Sequence, residues 1–328
     1  MGVPRITTAF WRYDRTQPLI DGRVGVQGAE LDCTILRPEE SIALAFGAAP
    51  YDLTEISLSN TITTRSLPSG RDFPYWLLPV FPSRSFRHGA LFVRSDSGIA
   101  QPSDLAGMRV GLQEYDMTAA VVLRGVLRDE YGVDTRSIHW RVGERERTKP
   151  LGFPLPEIPE GLDFRILPPG TSLEARMLEG ELDAIISLRE PAAAADGRIR
   201  RLFADPEAAE RDWFGRKGVF PIMHALALKK SLVEKHPDLP LALYHAFCEA
   251  KQLAVSELEI VQAPKVTLPW GTGELRRTRA LMGDDFWPYG LAANGAVLDT
   301  QLRWSREDGL QARPVTIEEL FAPATLAT

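Results

Sequence analysis

Short apolar runs alternate with polar turns along this chain and predict a succession of strands and helices. Residues 6–10, 31–36 and 51–60 predict three strands, and PEESIALAFGAAP predicts a helix between the second and the third. The alternation returns in the middle of the chain, where residues 108–112 predict a strand and TAAVVLRGVL predicts the helix after it. The remainder, from HPDLPLALYHAFCEAKQLAVSEL onward, has the apolar spacing of helices. We therefore expect an α/β protein with a helical C-terminal part.

Composition and charge limit the partners that the chain can bind. The 328 residues are 44% hydrophobic and 25% charged, enough for a sizeable core and for two domains. A net charge of -6 leaves no broad basic surface, so we expect neither nucleic acid nor a membrane as partner. No apolar run approaches the roughly 20 residues that span a bilayer. The first residues lack the pattern of an export signal, so we expect a cytoplasmic protein.

The most informative stretch is PVFPSRSFRHGALFVRSDS, residues 79–97. Arg84, Arg87 and His88 lie there between an apolar segment and a strand-like run. Cations near a buried strand need an anionic partner, so this stretch predicts the binding of an acid. The alternative is that the arginines are solvated loop residues and that His88 is a hydrogen-bonded strand residue.

Other candidates follow strands, because side chains at the carboxyl ends of strands line the ligand crevice of an open α/β sheet. By this rule the sequence nominates Arg12, Tyr13, Arg15, Ser57, Ser59 and Arg189. An Asp-Arg pair that caps a helix is the alternative for the first group, and a plain turn is the alternative for the serines.

The chain beyond the stretch of residues 79–97 adds an anion site and two candidate acids. Met117 and Thr118 begin a predicted helix, whose free N–H groups and hydroxyl suit an anion. Glu114 precedes that helix and His224 lies on a predicted strand, although strand histidines on apolar runs are more often core residues. The chain has no GxGxxG or P-loop motif, and its five histidines form no ligand cluster, so we expect no metal.

Two strand-rich halves, with strand crossings near 88–94 and 219–228, resemble the type II periplasmic-binding-protein fold. This likeness implies two lobes with a ligand cleft between them. We expect lobe 1 to be discontinuous, from residues 1–93 and 221–328 with the C-terminal helices, and lobe 2 to comprise residues 94–220.

A closer resemblance covers the chain nearly from end to end. It is carried by the motifs YDRTQPLIDGRV, DLTEISLSN, PVFPSRSFRHGALFV, DLAGMRVGLQEYDMTAAVVLRG, FPIMHALALKK, LMGDDFWPYGLAAN and PVTIEELFAP. These motifs are similar to those of the 4,5-dihydroxyphthalate decarboxylase family, an intracellular branch of the solute-binding fold. The resemblance implies a lyase of phthalate degradation and aromatic catabolism. It would form protocatechuate and carbon dioxide without a nicotinamide, flavin or pyridoxal cofactor.

The chemistry of that reaction agrees with the candidate residues. An aryl carboxylate para to a hydroxyl can leave as carbon dioxide if the ipso carbon is protonated, so the enzyme needs cations for carboxylates and an acid. The guanidinium forks on offer are those of Arg12, Arg15, Arg84, Arg87 and Arg189. The candidate proton donors are His88, His224 and Glu114.

Two other functions remain open from the sequence. A non-catalytic solute-binding protein for a small aromatic acid would use the same arginines without a proton donor, and the pair of His88 and His224 favours the enzyme over it. Another lyase on the same fold, acting on a chorismate-derived acid, is the second alternative. A homo-oligomer is compatible with either function.

Overall fold

The computed structural model describes residues 3–143, 160–168 and 170–328. The strands in these ranges are β1 (Arg5–Phe10), β2 (Glu30–Ile35), β3 (Leu53–Ser57), β4 (Tyr75–Arg84), β5 (Leu91–Arg94), β6 (Arg109–Leu112), β7 (His139–Val142), β8 (Phe164–Ile166), β9 (Ala184–Ile186), β10 (Ile199–Arg201) and β11 (Ile222–Lys229). The helices are α1 (Gln17–Ile20), α2 (Pro38–Phe46), α3 (Leu58–Ser66), α4 (Thr118–Tyr131), α5 (Leu173–Leu178), α6 (Pro206–Lys217), α7 (Lys230–Lys235), α8 (Leu239–Glu257), α9 (Gly271–Met282), α10 (Gly295–Glu307) and α11 (Ile317–Leu320). The α/β class predicted from the sequence is confirmed.

The first sheet has the strand order β2-β1-β3-β11-β4. β1 is parallel to β2 and β3, whereas β11 runs antiparallel to its neighbours β3 and β4. β4 contains Pro79 and Pro82, and it lies at the edge of the sheet, where the missing N–H of a proline is tolerated. Helix α8 packs on this sheet, with Phe247 edge-on to Phe10 at 5.8 Å between ring centroids.

The second sheet has the order β10-β5-β9-β6-β7-β8 and comes from the middle of the chain. The chain leaves the first sheet after β4, enters the second at β5, and returns to the first at β11. β5 therefore belongs to the second sheet, although residues 91–93 were assigned to lobe 1 in the sequence-based division. The limits of the lobes stay a prediction.

The N-terminus of helix α4 points towards the site described below, and contacts with α10 hold this helix in place. Gly125 of α4 faces Trp304 of α10, and a Cβ at position 125 would lie 2.2 Å from the indole. Arg124, which is fully buried, pairs with Asp308 at 2.7 Å, so the C-terminal segment is fixed to the second sheet's main helix. Asp308 also pairs with Arg128, so the loss of Asp308, rather than that of Arg124, would leave an uncompensated buried charge.

One sequence prediction about local structure differs from the structure. The third strand was predicted to extend to residue 60, but β3 ends at Ser57 and α3 begins at Leu58. The Ser57 hydroxyl accepts a hydrogen bond from the N–H of Asn60 and so caps α3, which explains the early end of the strand. None of the helices in the described ranges is long and apolar enough to span a membrane.

Candidate active site

A cleft of about 280 Å³ lies between the two sheets and receives side chains from both. The first sheet and its helices contribute Pro38, Glu39, Ile42, Ser57, Asn60, Met223 and His224. The loops and helix of the second sheet contribute Gln113, Glu114, Met117, Thr118, Ala119 and Leu188, and Arg87 comes from the connection between the sheets. The structure therefore gathers Ser57, Arg87, Glu114, Met117, Thr118 and His224 at one place.

His224 of β11 presents its imidazole to this cleft and is held from behind by a buried acid. Its Nδ1 lies 2.7 Å from Oε1 of Glu55, which is fully buried on the adjacent strand β3. The same carboxylate accepts hydrogen bonds from the Tyr13 hydroxyl at 2.8 Å and from the Trp11 N–H at 3.3 Å. An Nδ1–H that donates to Glu55 leaves Nε2 as the nitrogen available to a ligand.

The Tyr13 phenol is a hydrogen-bond donor in this arrangement. Burial raises the pKa of Tyr13, and the adjacent carboxylate of Glu55 raises it further. The hydroxyl therefore keeps its proton and donates a hydrogen bond to Glu55. Tyr13 acts on the acid behind His224, whereas the sequence nominated it for direct contact with a ligand.

Arg87 is the cation of the cleft. Its Nε lies 3.3 Å from the sulfur of Met223, and among the described residues no carboxylate forms an ion pair with it. Burial lowers its pKa to about 10, which still leaves the guanidinium charged at neutral pH. A charged fork that lines a cleft and has no ion-pair partner among the described residues is suited to bind the carboxylate of a ligand.

Hydroxyl groups from both sheets meet at the start of helix α4. The Thr118 hydroxyl lies 3.1 Å from that of Ser57 and accepts a hydrogen bond from the N–H of Ser59 at 3.1 Å. Asn60 donates to Asp116 at 3.1 Å across the same boundary. These bonds place the N-terminal turn of a 14-residue helix at the cleft, where its N–H groups favour an anion.

His88 lies elsewhere, in a cluster of aromatic rings. Its ring packs edge-on against Phe203 and Trp213, with centroids at 5.2 and 5.6 Å, and neither nitrogen has a hydrogen-bond partner among the described residues. Burial lowers the pKa of His88 to about 4. The structure does not place this candidate at the cleft.

The remaining candidates also lie away from the cleft lining. Arg84 is buried, hydrogen-bonds to Asn294 and stacks near Phe81. Arg15 donates to the carbonyl of Pro82. Arg12 is exposed, the Ser59 hydroxyl is buried without a partner among the described residues, and Arg189 lines a neighbouring pocket.

The carboxylates and imidazoles of the site are not arranged to hold a metal ion. Within residues 3–143, 160–168 and 170–328, no group of three or more His, Cys, Asp or Glu side chains is placed to bind one. The sequence-based expectation of no metal stays a prediction.

Curated relatives of this chain share most of its length. It is 41% identical over 326 residues to a 4,5-dihydroxyphthalate decarboxylase of Comamonas testosteroni. The alignment covers 98% of this chain and 97% of the relative. The chain belongs to the 4,5-dihydroxyphthalate decarboxylase family. A second member, from Pseudomonas putida, is 35% identical over 212 residues, or 64% of this chain and 81% of that one. No family model matches the chain.

Solved structures place this member of the decarboxylase family in a known fold. It resembles a putative sulfonate-binding SsuA of Methylobacillus flagellatus KT (TM-score 0.57, 14% identity, 99% and 93% coverage). It also resembles the aliphatic sulphonate binding protein SsuA of Escherichia coli (0.52, 14%, 100% of both chains). A third similar structure is a mutant of DSZB in complex with biphenyl-2-sulfinic acid, with a TM-score of 0.54 and 15% identity over 99% of this chain and 98% of that one. At these identities the likeness shows the fold alone, the two-lobed α/β fold of periplasmic binding proteins.

Sequence reasoning did not nominate Glu55, the buried acid that binds His224 from behind. The signal was present, because Glu55 is an acid inside the apolar run DLTEISL, where a carboxylate is buried only with partners. Gln113 was also missed, since amides in loops are common and carry no pattern. In this member of the decarboxylase family, the buried acid distinguishes the two histidines, because His224 is hydrogen-bonded to it and His88 is not.

Proposed function

We propose that this protein decarboxylates 4,5-dihydroxyphthalate to protocatechuate and carbon dioxide in the cleft between its two sheets. The observation that carries the proposal is the His224 imidazole, which lines the cleft with its Nδ1 on the buried carboxylate of Glu55. Membership of the decarboxylase family supports the reaction and the aromatic acid substrate.

The substrate has two adjacent carboxylates, each para to a hydroxyl group. Arg87 and the N-terminal turn of α4, with the Thr118 and Ser57 hydroxyls, supply the two anion-binding features of the cleft. One of these two features binds the carboxylate that remains in the product. The departing carboxylate needs a less polar position, because desolvation favours its conversion to neutral carbon dioxide.

His224 supplies the proton. The ring π electrons form a C–H bond at the ipso carbon with the proton on Nε2, and the para hydroxyl gives its proton to water, which makes the intermediate a neutral dienone. Water returns this proton to the phenolate oxygen when the ring becomes aromatic again. The bond between ring and carboxylate then breaks, its electron pair restores the aromatic ring, and carbon dioxide leaves. Glu55 stabilises the imidazolium before transfer and keeps Nε2 directed at the cleft. Solvent returns one proton to the imidazole in each turnover.

Glu114 lines the same cleft and is the alternative proton donor. A carboxylic acid there would replace His224 in the step above without changing the balance of atoms. The His224 assignment is preferred because a second residue orients the imidazole.

The test is to incubate the purified protein with 4,5-dihydroxyphthalate and to follow carbon dioxide and protocatechuate. We expect equal amounts of both products. Tight binding of the aromatic acid without release of carbon dioxide would overturn the proposal in favour of a solute-binding protein. Turnover of a different hydroxylated acid, with none of 4,5-dihydroxyphthalate, would overturn the substrate assignment.

A further inference from the structure

Behind His224, four side chains connect the cleft to the C-terminal loop GDDFWPYG. We call this set the column; its members are Glu55, Tyr13, Arg15 and Trp287. The Tyr13 hydroxyl donates to the same Glu55 oxygen, Oε1, that binds His224 Nδ1, at 2.8 and 2.7 Å. The Arg15 guanidinium lies over the Tyr13 ring at 4.2 Å and over the Trp287 ring at 4.2 Å. It is therefore enclosed between two aromatic faces.

Each member of this column is fixed by a bond of its own. Arg15 donates through Nε to the carbonyl of Pro82 at 2.9 Å, and the Trp287 indole donates to the carbonyl of Phe81 at 2.9 Å. Both acceptors belong to the edge strand β4. The stack is thus anchored to the same sheet that carries Glu55 and His224.

We propose that Tyr13, held by the stack of Arg15 and Trp287, is a positioning residue for the Glu55–His224 pair. It sets the orientation of the Glu55 carboxylate and so the direction of the His224 imidazole. This inference rests on the proposed function, in which His224 delivers the proton.

Shared use of one oxygen gives Tyr13 an electrostatic effect as well as a geometric one. A hydroxyl that donates to Oε1 withdraws negative charge that would otherwise stabilise a protonated imidazole. Without that hydroxyl, Glu55 favours the charged imidazole more strongly. The other charged groups that line the cleft with His224 are Arg87, Glu39 and Glu114, and none of them changes in the variant.

The decisive variant is Tyr13→Phe, which removes the hydroxyl and keeps the ring for Arg15. We expect kcat to fall about 10-fold or more, because misorientation of a catalytic group is costly, while KM stays within about 2-fold. The alkaline limb of the pH profile of kcat should move upward, because the imidazole stays protonated to a higher pH. Trp287→Leu should change kcat in the same direction and less, about 3-fold, because the hydroxyl remains.

Tyr75→Phe is the matched control. Its hydroxyl donates at 2.8 Å to the carbonyl of Tyr51, so the variant removes a comparable bond from the same sheet without touching Glu55. We expect a loss of stability, with kcat and the pH profile unchanged. If Tyr13→Phe behaves like Tyr75→Phe, Tyr13 is only structural and the proposal is wrong.

Two further outcomes separate this proposal from the proposed function. A raised KM with unchanged kcat in Tyr13→Phe would make Tyr13 a substrate contact and overturn the positioning role. If the native protein releases no carbon dioxide, the proposed function fails, and the column is tested by NMR titration of the His224 ring. An upward-shifted midpoint in Tyr13→Phe, and not in Tyr75→Phe, would still support the column, whereas equal midpoints would refute it.

Discussion

Two histidines lie near the crossings between the sheets, and their surroundings differ in every respect that matters for proton transfer. The imidazole of His224 is partly exposed to a cleft and bonded to a carboxylate at 2.7 Å. The imidazole of His88 is enclosed by Tyr131, Phe203 and Trp213, and its nearest acid, Glu210, is 3.9 Å away. One ring can exchange protons with a ligand, and the other is a part of the core.

The contrast is sharpened by Arg87, the immediate neighbour of His88. Arg87 lines the cleft, whereas a short 3₁₀ turn that begins at His88 directs the next side chain into the aromatic cluster. Adjacent positions in the motif PSRSFRH therefore serve different regions. Charge and residue type alone do not tell which side chain reaches the ligand; burial and the partner of each nitrogen do.

The variant with the largest expected effect is His224→Asn, which tests whether His224 is the proton donor. It keeps an amide N–H for Glu55 and removes the imidazole proton that would be transferred. We expect kcat to fall by roughly 10²–10⁴-fold with the substrate still bound, because general acid catalysis contributes about that much. Steady-state rates of carbon dioxide release and calorimetric binding measure the two effects. A variant that turns over at the native rate would transfer the role to Glu114.

A smaller effect is expected for Arg87→Lys, which keeps the charge and loses the planar fork. The affinity for the aromatic acid should fall by about 1.5–3 kcal/mol if the guanidinium makes a charge-assisted contact. Isothermal titration calorimetry of the ligand checks this. Arg12→Lys is the control, since Arg12 is exposed outside the cleft lining and its variant should bind as the native protein does.

The elements of the fold could be predicted where the apolar pattern is strong. The strands predicted at residues 6–10, at 31–36 and around His224 correspond to β1, β2 and β11, and α4 starts at Thr118 as expected. The third strand was predicted too long because the serine that caps α3 lies inside an otherwise continuous pattern. Capping depends on one side chain and not on periodicity.

The site could be predicted only as a set of candidates. Three candidates lie in the lining: Ser57 was nominated by the strand-end rule, Arg87 by the charged stretch of residues 79–97, and Thr118 by the predicted start of a helix. Their roles stay predictions. Glu55 was missed because its function depends on three donors that come from Trp11, Tyr13 and His224, far apart in sequence. Arg15 was nominated for a ligand but lies between two rings, because one of them, Trp287, comes from the distant C-terminal part of the chain.

The smallest effect on catalysis and a distinct effect on stability are expected for His88→Phe. Because the ring lies in an aromatic cluster outside the cleft lining, kcat should stay within about 2-fold of native. A loss of catalysis comparable to that of His224→Asn would return His88 to the role of donor.

The stability effect follows from the lowered pKa of His88. Burial lowers that pKa to about 4, below the ordinary value of 6.5, so between these values the unfolded chain binds a proton that the folded protein does not. The native free energy of unfolding therefore falls as pH falls through this window, and His88 contributes about 2 kcal/mol of the loss between pH 7 and pH 5. The free energy of unfolding of His88→Phe should therefore fall by about 2 kcal/mol less than that of the native protein between pH 7 and pH 5. Urea unfolding at the two pH values measures this difference. Glu210, whose pKa burial raises, is present in both proteins, so an equal loss in both would mean that His88 is already protonated in the folded state.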